Sequence, residues 1–414
     1  MDTGTILLIA GVFYFVAHGL TFLFQLTRIP DVLILVFVGI VIGPIAKLAE
    51  VQDFGRMGTV MTVIALAIIL FESGTKLKLQ SMGKSLGATL LLTFATVIAT
   101  IVILSIGALP FLGGDMGLAL LTGAMLCGTS SAVVIPLVRS LKVGEKAESI
   151  LVMESALTDV ICIVLTFALL ESMLSGGISV YGISLQVLKS LGFAALVGIV
   201  GGLFWLSIWN KVREIPSSVF TTIAFAFILY GAAELLGISG AIATLTFGIT
   251  LANLPLLFKS SNFPTVSKVE GQFYEEIVFL LKTFFFIFLG VSIRITSYKI
   301  VTVSILLVAA VYFLRLWITR YSMPKEGVSL QDAIVTSAMV PKGLAPAVLV
   351  SLVMQKGVPH ADNIQAFVFS VVILSIIFTA ALIPLTRSGF LAQLYNTVLC
   401  RFSENKSDEN LGAQ

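Results

Sequence analysis

The chain has 414 residues, 58% of them hydrophobic and 11% charged, with a formal net charge of +3 and a mean hydropathy of +1.07. That balance excludes a soluble globular domain, whose surface needs far more charge, so a lipid bilayer is the solvent for this chain. The small net charge identifies no partner class, because in a membrane protein the meaning of Lys and Arg lies in which loops carry them.

The chain opens on Asp2 rather than on a basic region, and its first apolar run continues past signal-peptide length, so it reads as a first span. Apolar runs cut by Gly, Pro and charge predict an all-α polytopic membrane protein of about 13 helices. The first seven run over about 4–26, 31–48, 57–73, 85–109, 116–138, 148–172 and 184–209. Six more follow at about 218–236, 238–254, 271–292, 298–319, 329–354 and 362–386. Residues 1–387 form a single transporter domain on this reading, and 388–414 a short polar cytoplasmic tail that frays. Basic groups such as Arg139, Lys142 and Lys146, or Arg315, Arg320 and Lys325, fall on one side of the bilayer, which puts the N-terminus outside and the C-terminus in the cytoplasm.

Self-similarity gives the organisation. Span five contains Ala119, Thr122, Ala124 and Met125 before Gly128-Thr129-Ser130-Ser131. Span twelve contains Ala333, Thr336, Ala338 and Met339 before Pro341-Lys342-Gly343. The shared residues lie at one constant offset, and both runs then break into helix interrupters. Weaker echoes pair Gly39 with Gly248 and Gly74 with Gly290. An inverted repeat of six helices each is expected, 4–172 and 218–386, with 184–209 as linker and the two discontinuous helices crossing near the bilayer centre.

Ionisable residues inside spans are the functional candidates, because charge is costly in hydrocarbon. Asp159 lies near the centre of span six, and at helical spacing Ser155 and Thr158 share its face, a hard-oxygen cluster suited to a monovalent cation or a proton. Glu154 points roughly 140° away and is expected to form a supporting ion pair with Lys342. Thr129 and Ser130 offer hydroxyls and free backbone groups at the first break. Glu72, at the end of span three, reads as an interfacial acid with an ion-access role as the alternative; Lys282 is an accessory and Glu234 a boundary charge.

With His18 and His360 the only histidines, no zinc cluster or HExxH helix exists, and enzymatic catalysis on peptide bonds is not expected. Cys127, Cys162 and Cys400 form no spaced pattern and imply no redox role. No cofactor and no nucleic-acid partner are called for.

Glu154-Ser155-x-x-Thr158-Asp159, the span count and the two matched breaks resemble the monovalent cation/proton antiporter superfamily, especially its bacterial and archaeal sodium/proton antiporters. Phe71-Glu72-Ser73-Gly74 and Lys342-Gly343 are similar to further signatures of that group. The resemblance implies that Asp159 is the shared proton and cation site, Ser155 and Thr158 its neighbours, and Glu154 the partner of the span-twelve base; it also implies a homodimer. Two positions depart from the family pattern. Thr158 stands where the family has Asn, and Ser130 where it has the Asp of a Thr-Asp-Pro break, as in the potassium-efflux branch. Exchange of protons for Na⁺ is expected, with K⁺ as the alternative and Li⁺ a further test ion. A single acid at the Thr158-Asp159 pair suggests an electroneutral cycle. A channel would need a filter that the sequence does not display, and an organic-anion symporter an Arg in mid-span, which it does not reveal.

Overall fold

The computed structural model describes residues 31–48, 55–77, 85–141, 143–174, 180–214, 220–257, 268–292, 298–385 and 389–402, with helical positions at 11, 15 and 19. Most of span one, His18, the side chain of Lys282 and residues 403–414 lie outside the described residues. Among those described, all regular structure is helical.

The helices follow the apolar runs. α1 (Asp31–Ile40) continues as a π-turn over Val41–Ile45, followed by α2 (Gly55–Lys76) and α3 (Leu86–Ala108). The fifth apolar run is two short helices, α4 (Met116–Met125) and α5 (Ser131–Ser140). Then come α6 (Glu145–Leu174), α7 (Val180–Arg213), α8 (Thr221–Leu235), α9 (Gly240–Leu257), α10 (Lys268–Ser292) and α11 (Tyr298–Ser322). The twelfth run is again divided, into α12 (Leu330–Ala338) and α13 (Leu344–Gln355), and α14 (Ala361–Leu385) ends the apolar part. Among the described residues five helices, including α3, α6, α11 and α14, are long and apolar enough to cross a membrane unaided. The divided ones are not, because Gly, Ser and Pro interrupt them.

The helices pack as two bundles. α1, α2 and α7–α10 form one, through the pairs α1/α10, α2/α9 and α7/α9; α3–α6 and α11–α14 form the other, through α3/α4, α3/α11, α11/α14 and α13/α14. In the first bundle glycine sets the approach. A methyl on Gly39 would come 2.8 Å from Gly290 Cα, and one on Gly74 would come 3.0 Å from Gly248 Cα, so α1/α10 and α2/α9 cross backbone to backbone. Phe71, Trp205, Trp209 and Phe247 fill the space beside the second crossing. Glu234 is bound locally: its Oε1 accepts from Gly240 N at 2.9 Å, holding the turn into α9.

Polar caps fix the second bundle. Asp115 caps α4 by accepting from Leu118 N at 3.1 Å. Ser329 and Asp332 form a reciprocal capping box on α12, and Asp332 Oδ1 also accepts from Gly144 N at 3.0 Å, tying α12 to the start of α6. The tail departs from expectation. Residues 389–398 form a helix, α15, and Tyr395, Val398, Leu399 and Phe402 are buried against Leu92, Leu316 and Met323. Arg320 donates to the Val398 carbonyl and Arg401 to that of Met323. The physical reason is amphipathicity: this stretch carries one apolar face, which a count of polar residues hides.

Candidate ion-binding site

The two helix breaks touch each other. Ser130 N donates to Pro341 O at 2.8 Å, joining the α4–α5 break to the α12–α13 break. The contact requires a small residue on the far side, since a methyl on Gly343 would collide with Ser130 Oγ and Cβ. Lys342 N donates to Ser375 Oγ of α14 at 2.8 Å. Thr129 N donates to Thr158 Oγ1 of α6 at 3.0 Å. Backbone groups freed by the breaks are thus satisfied by each other and by buried hydroxyls.

Asp159 faces this crossing. Ser131 Oγ, at the start of α5, donates to Asp159 Oδ2 at 3.3 Å, and a methyl on Gly128 would lie 3.2 Å from Oδ1. A narrow cleft opens beside the carboxylate, between the two bundles. Glu72 and Ser73 of α2 line one wall, and Ser130, Ser131 and Asp159 the other. Of the expected ligands, Asp159 and Ser130 therefore border one space, and Glu72 shares it. Ser155 and Thr158 do not line it: Ser155 Oγ donates to Val152 O at 2.9 Å and Thr158 Oγ1 to Ser155 O at 3.1 Å. The Thr129 hydroxyl is buried without a hydrogen-bond partner.

The supporting ion pair is corrected. Glu154 is bound by Arg315 of α11, not by Lys342: Nη1 donates to Oε1 at 2.5 Å and Nη2 to Oε2 at 2.6 Å. Both side chains are 0% exposed, and Arg315 Nη1 also donates to Thr96 Oγ1 of α3, its Nε to Thr336 O of α12. A planar fork meeting a carboxylate edge-on is the strongest form such a pair takes, and it knits α3, α6, α11 and α12 together. Lys342 Nζ is buried and has no hydrogen-bond partner. Arg315 stands near the end of an apolar run, which is why the sequence places it among the cytoplasmic charges. A mid-bundle arginine therefore exists, but its fork is committed to Glu154 and offers no bidentate grip to an organic anion.

The residues not singled out from sequence are Ser131, Arg315, Thr96 and Ser375. Ser131 was in view, as the last residue of the break, but the helix period that favoured Ser155 does not run across a break.

A sequence profile described as the transmembrane region of the sodium/hydrogen exchanger matches residues 11–387. The chain belongs to the sodium/hydrogen exchanger family. It is 26% identical over 315 residues to the Na(+)/H(+) antiporter ApNhaP of Aphanothece halophytica, covering 74% of this chain and 59% of that protein. It is 26% identical over 375 residues to the Na(+)/H(+)-K(+) antiporter GerN of Bacillus cereus, covering 86% of this chain and 90% of that one. The sodium proton antiporter MjNhaP1 of Methanocaldococcus jannaschii shares the fold, with a TM-score of 0.73 and 18% identity over 96% of this chain and 100% of the other. These relatives are transporters, not enzymes, and the family lives in membranes.

Proposed function

We propose that this exchanger-family chain is a secondary antiporter that trades protons for Na⁺, with K⁺ the alternative, by alternating access around Asp159. The observation that carries the reading is the carboxylate itself, at the crossing of two broken helices and on the wall of a cleft between two bundles. A carboxylate there can hold a proton or, with the Ser130 and Ser131 hydroxyls, a dehydrated monovalent cation, but not both. Competition for one group couples the two fluxes. Relatives named as Na⁺/H⁺ and Na⁺/H⁺-K⁺ antiporters support the class and leave both cations in play.

One exchangeable acid makes the cycle one-for-one and electroneutral, since both oxygens of Glu154 are taken up by Arg315. The lie of the cleft between the bundles supports movement of one against the other, with Glu72 on its path as the ion-access residue. The inverted repeat, 4–172 against 218–386, gains support from the glycines. Gly39 and Gly74 are the expected counterparts of Gly248 and Gly290, and exchanging counterparts turns the Gly39/Gly290 crossing into the Gly248/Gly74 crossing. An external N-terminus, a cytoplasmic C-terminus and a homodimer belong to the same proposal.

Reconstituted vesicles given Na⁺, Li⁺ or K⁺ in turn test it. A cation-driven pH change is expected, unaffected by clamping the membrane potential and lost in Asp159→Ala. Exchange that survives the substitution overturns the role of Asp159, and dependence on potential overturns the stoichiometry.

A further inference from the structure

Thirty-odd residues of sequence separate Cys127 from Cys162, and the fold brings them together. Cys127 lies in the α4–α5 break, Cys162 on α6 about one turn beyond Asp159, and both are fully buried. Cys162 Sγ donates to Met125 O at 3.0 Å, two residues before Cys127. On the other side, a methyl on Gly128 would lie 3.2 Å from Cys162 Cβ and 3.5 Å from its Sγ. Cys162 is thus set against the backbone on both sides of Cys127.

The second break supplies a third group. The Lys342 ammonium is buried, has no hydrogen-bond partner, and is within electrostatic reach of both thiols. The other charged groups acting on it, Glu154 and Arg315, are paired with each other. A buried ammonium without a counter-charge is costly, and neutral thiols do not supply one. Thiolates would.

We propose that Cys127 and Cys162 form a two-coordinate site for one soft, thiophilic monovalent metal ion of the Ag⁺ or Cu⁺ type, with Lys342 as its counter-charge. On binding, two S–H bonds break, two protons leave to solvent and two metal–sulfur bonds form. The bis-thiolate complex carries a charge of −1, so with the ammonium the cluster passes from +1 to neutral. A hard cation bound beside intact thiols would raise it to +2 and gain little from sulfur. The site therefore discriminates against the ions that the neighbouring cleft suits. An occupied site staples the α4–α5 break to α6 beside Asp159, and so blocks exchange. The blocking effect rests on the antiport reading; the binding does not.

The test uses the full chain carrying Cys400→Ser, which removes the exposed thiol, in chloride-free buffer with Ag⁺ as the probe. One Ag⁺ per chain is expected by mass spectrometry, with ultraviolet thiolate-to-metal absorbance and release of about two protons. Cys127→Ser or Cys162→Ser in that background is expected to weaken binding about 100-fold, since each removes one of two soft ligands. Lys342→Met should weaken it about tenfold and Lys342→Arg much less, because the charge is what counts. Alanine variants at the two cysteines serve if the serines do not yield monodisperse protein. Undiminished binding in either single-cysteine variant overturns the paired site, and equal binding in Lys342→Met and Lys342→Arg overturns the counter-charge. In vesicles, Ag⁺ should stop exchange in Cys400→Ser and spare the variant lacking all three cysteines, each measured against its own silver-free rate. Block that persists without the cysteines overturns the inhibitory step while leaving the binding result intact.

Discussion

Asp159 and Glu154 stand five residues apart on α6, and the surroundings of the two acids are opposite. Glu154 is sealed, with both carboxylate oxygens taken by Arg315 and a third helix joined through Thr96. Asp159 borders a cleft, and its oxygen Oδ2 accepts a 3.3 Å bond from a serine at a helix break. One helix therefore carries a carboxylate that ties the bundle together and another that borders the cleft. The first supports the second, because α6 must stay in register with the two broken helices that cross beside Asp159.

The sharpest way to break this contrast is to neutralise each acid in turn. Asp159→Asn keeps the shape and removes the exchangeable charge, so exchange should fall by at least about 100-fold in vesicles. Its unfolding midpoint in detergent should stay within a few degrees of the parent, because an asparagine oxygen can still accept from Ser131 Oγ. Glu154→Gln does the reverse. Leaving Arg315 buried and unpaired should cost about 3–5 kcal/mol, read from chemical denaturation in detergent. Pairing Glu154→Leu with Arg315→Met should recover most of that loss, since replacing both partners by apolar groups is often near neutral. A Glu154→Gln protein as stable as the parent would show that the sealed acid is not structural.

Much of this contrast was legible in the amino-acid order. The apolar runs found the helices to within a few residues because hydrocarbon length and Gly or Pro interruption are one-dimensional properties. Asp159 and Glu154 stood out because charge in an apolar run is costly. The partner of Glu154 did not, since a buried pair is chosen in three dimensions. Arg315 and Lys342 are both available to it, and Arg315 is expected among the basic groups on the cytoplasmic side. The neighbour of Asp159 was missed for a related reason. Helical period put Ser155 on its face, whereas the hydroxyl that reaches it comes from Ser131, across a break where no period applies. Docking of α15 escaped because its apolar face is short and set in a polar tail.

The crossing itself is probed by Gly343→Ala. The added methyl meets Ser130 Oγ and Cβ, so one break must shift off the other. Overpacking of this kind costs about 1–3 kcal/mol, and exchange should fall with stability. Ser130→Gly in the same chain removes the obstructing atoms and should restore stability. Failure of that rescue would mean that the breaks do not bear on each other as tightly as their backbone hydrogen bond implies.

The smallest expected effect sharpens the comparison most finely, because it separates the serine at the break from the serine that the helical period places beside Asp159. Ser131 Oγ donates to Asp159 Oδ2, whereas Ser155 Oγ donates to the Val152 carbonyl. Removing a hydrogen bond to a charged group costs about 1–2 kcal/mol, so Ser131→Ala should weaken apparent cation affinity at least about fivefold. Ser155→Ala loses a bond that lies within its own helix, and the apparent affinity should stay within about twofold. Initial rates of pH change over a range of Na⁺ and K⁺ concentrations read both variants. If Ser155→Ala had the larger effect, the ion would be held along the face of α6, and the break would serve to shape the cleft rather than to bind.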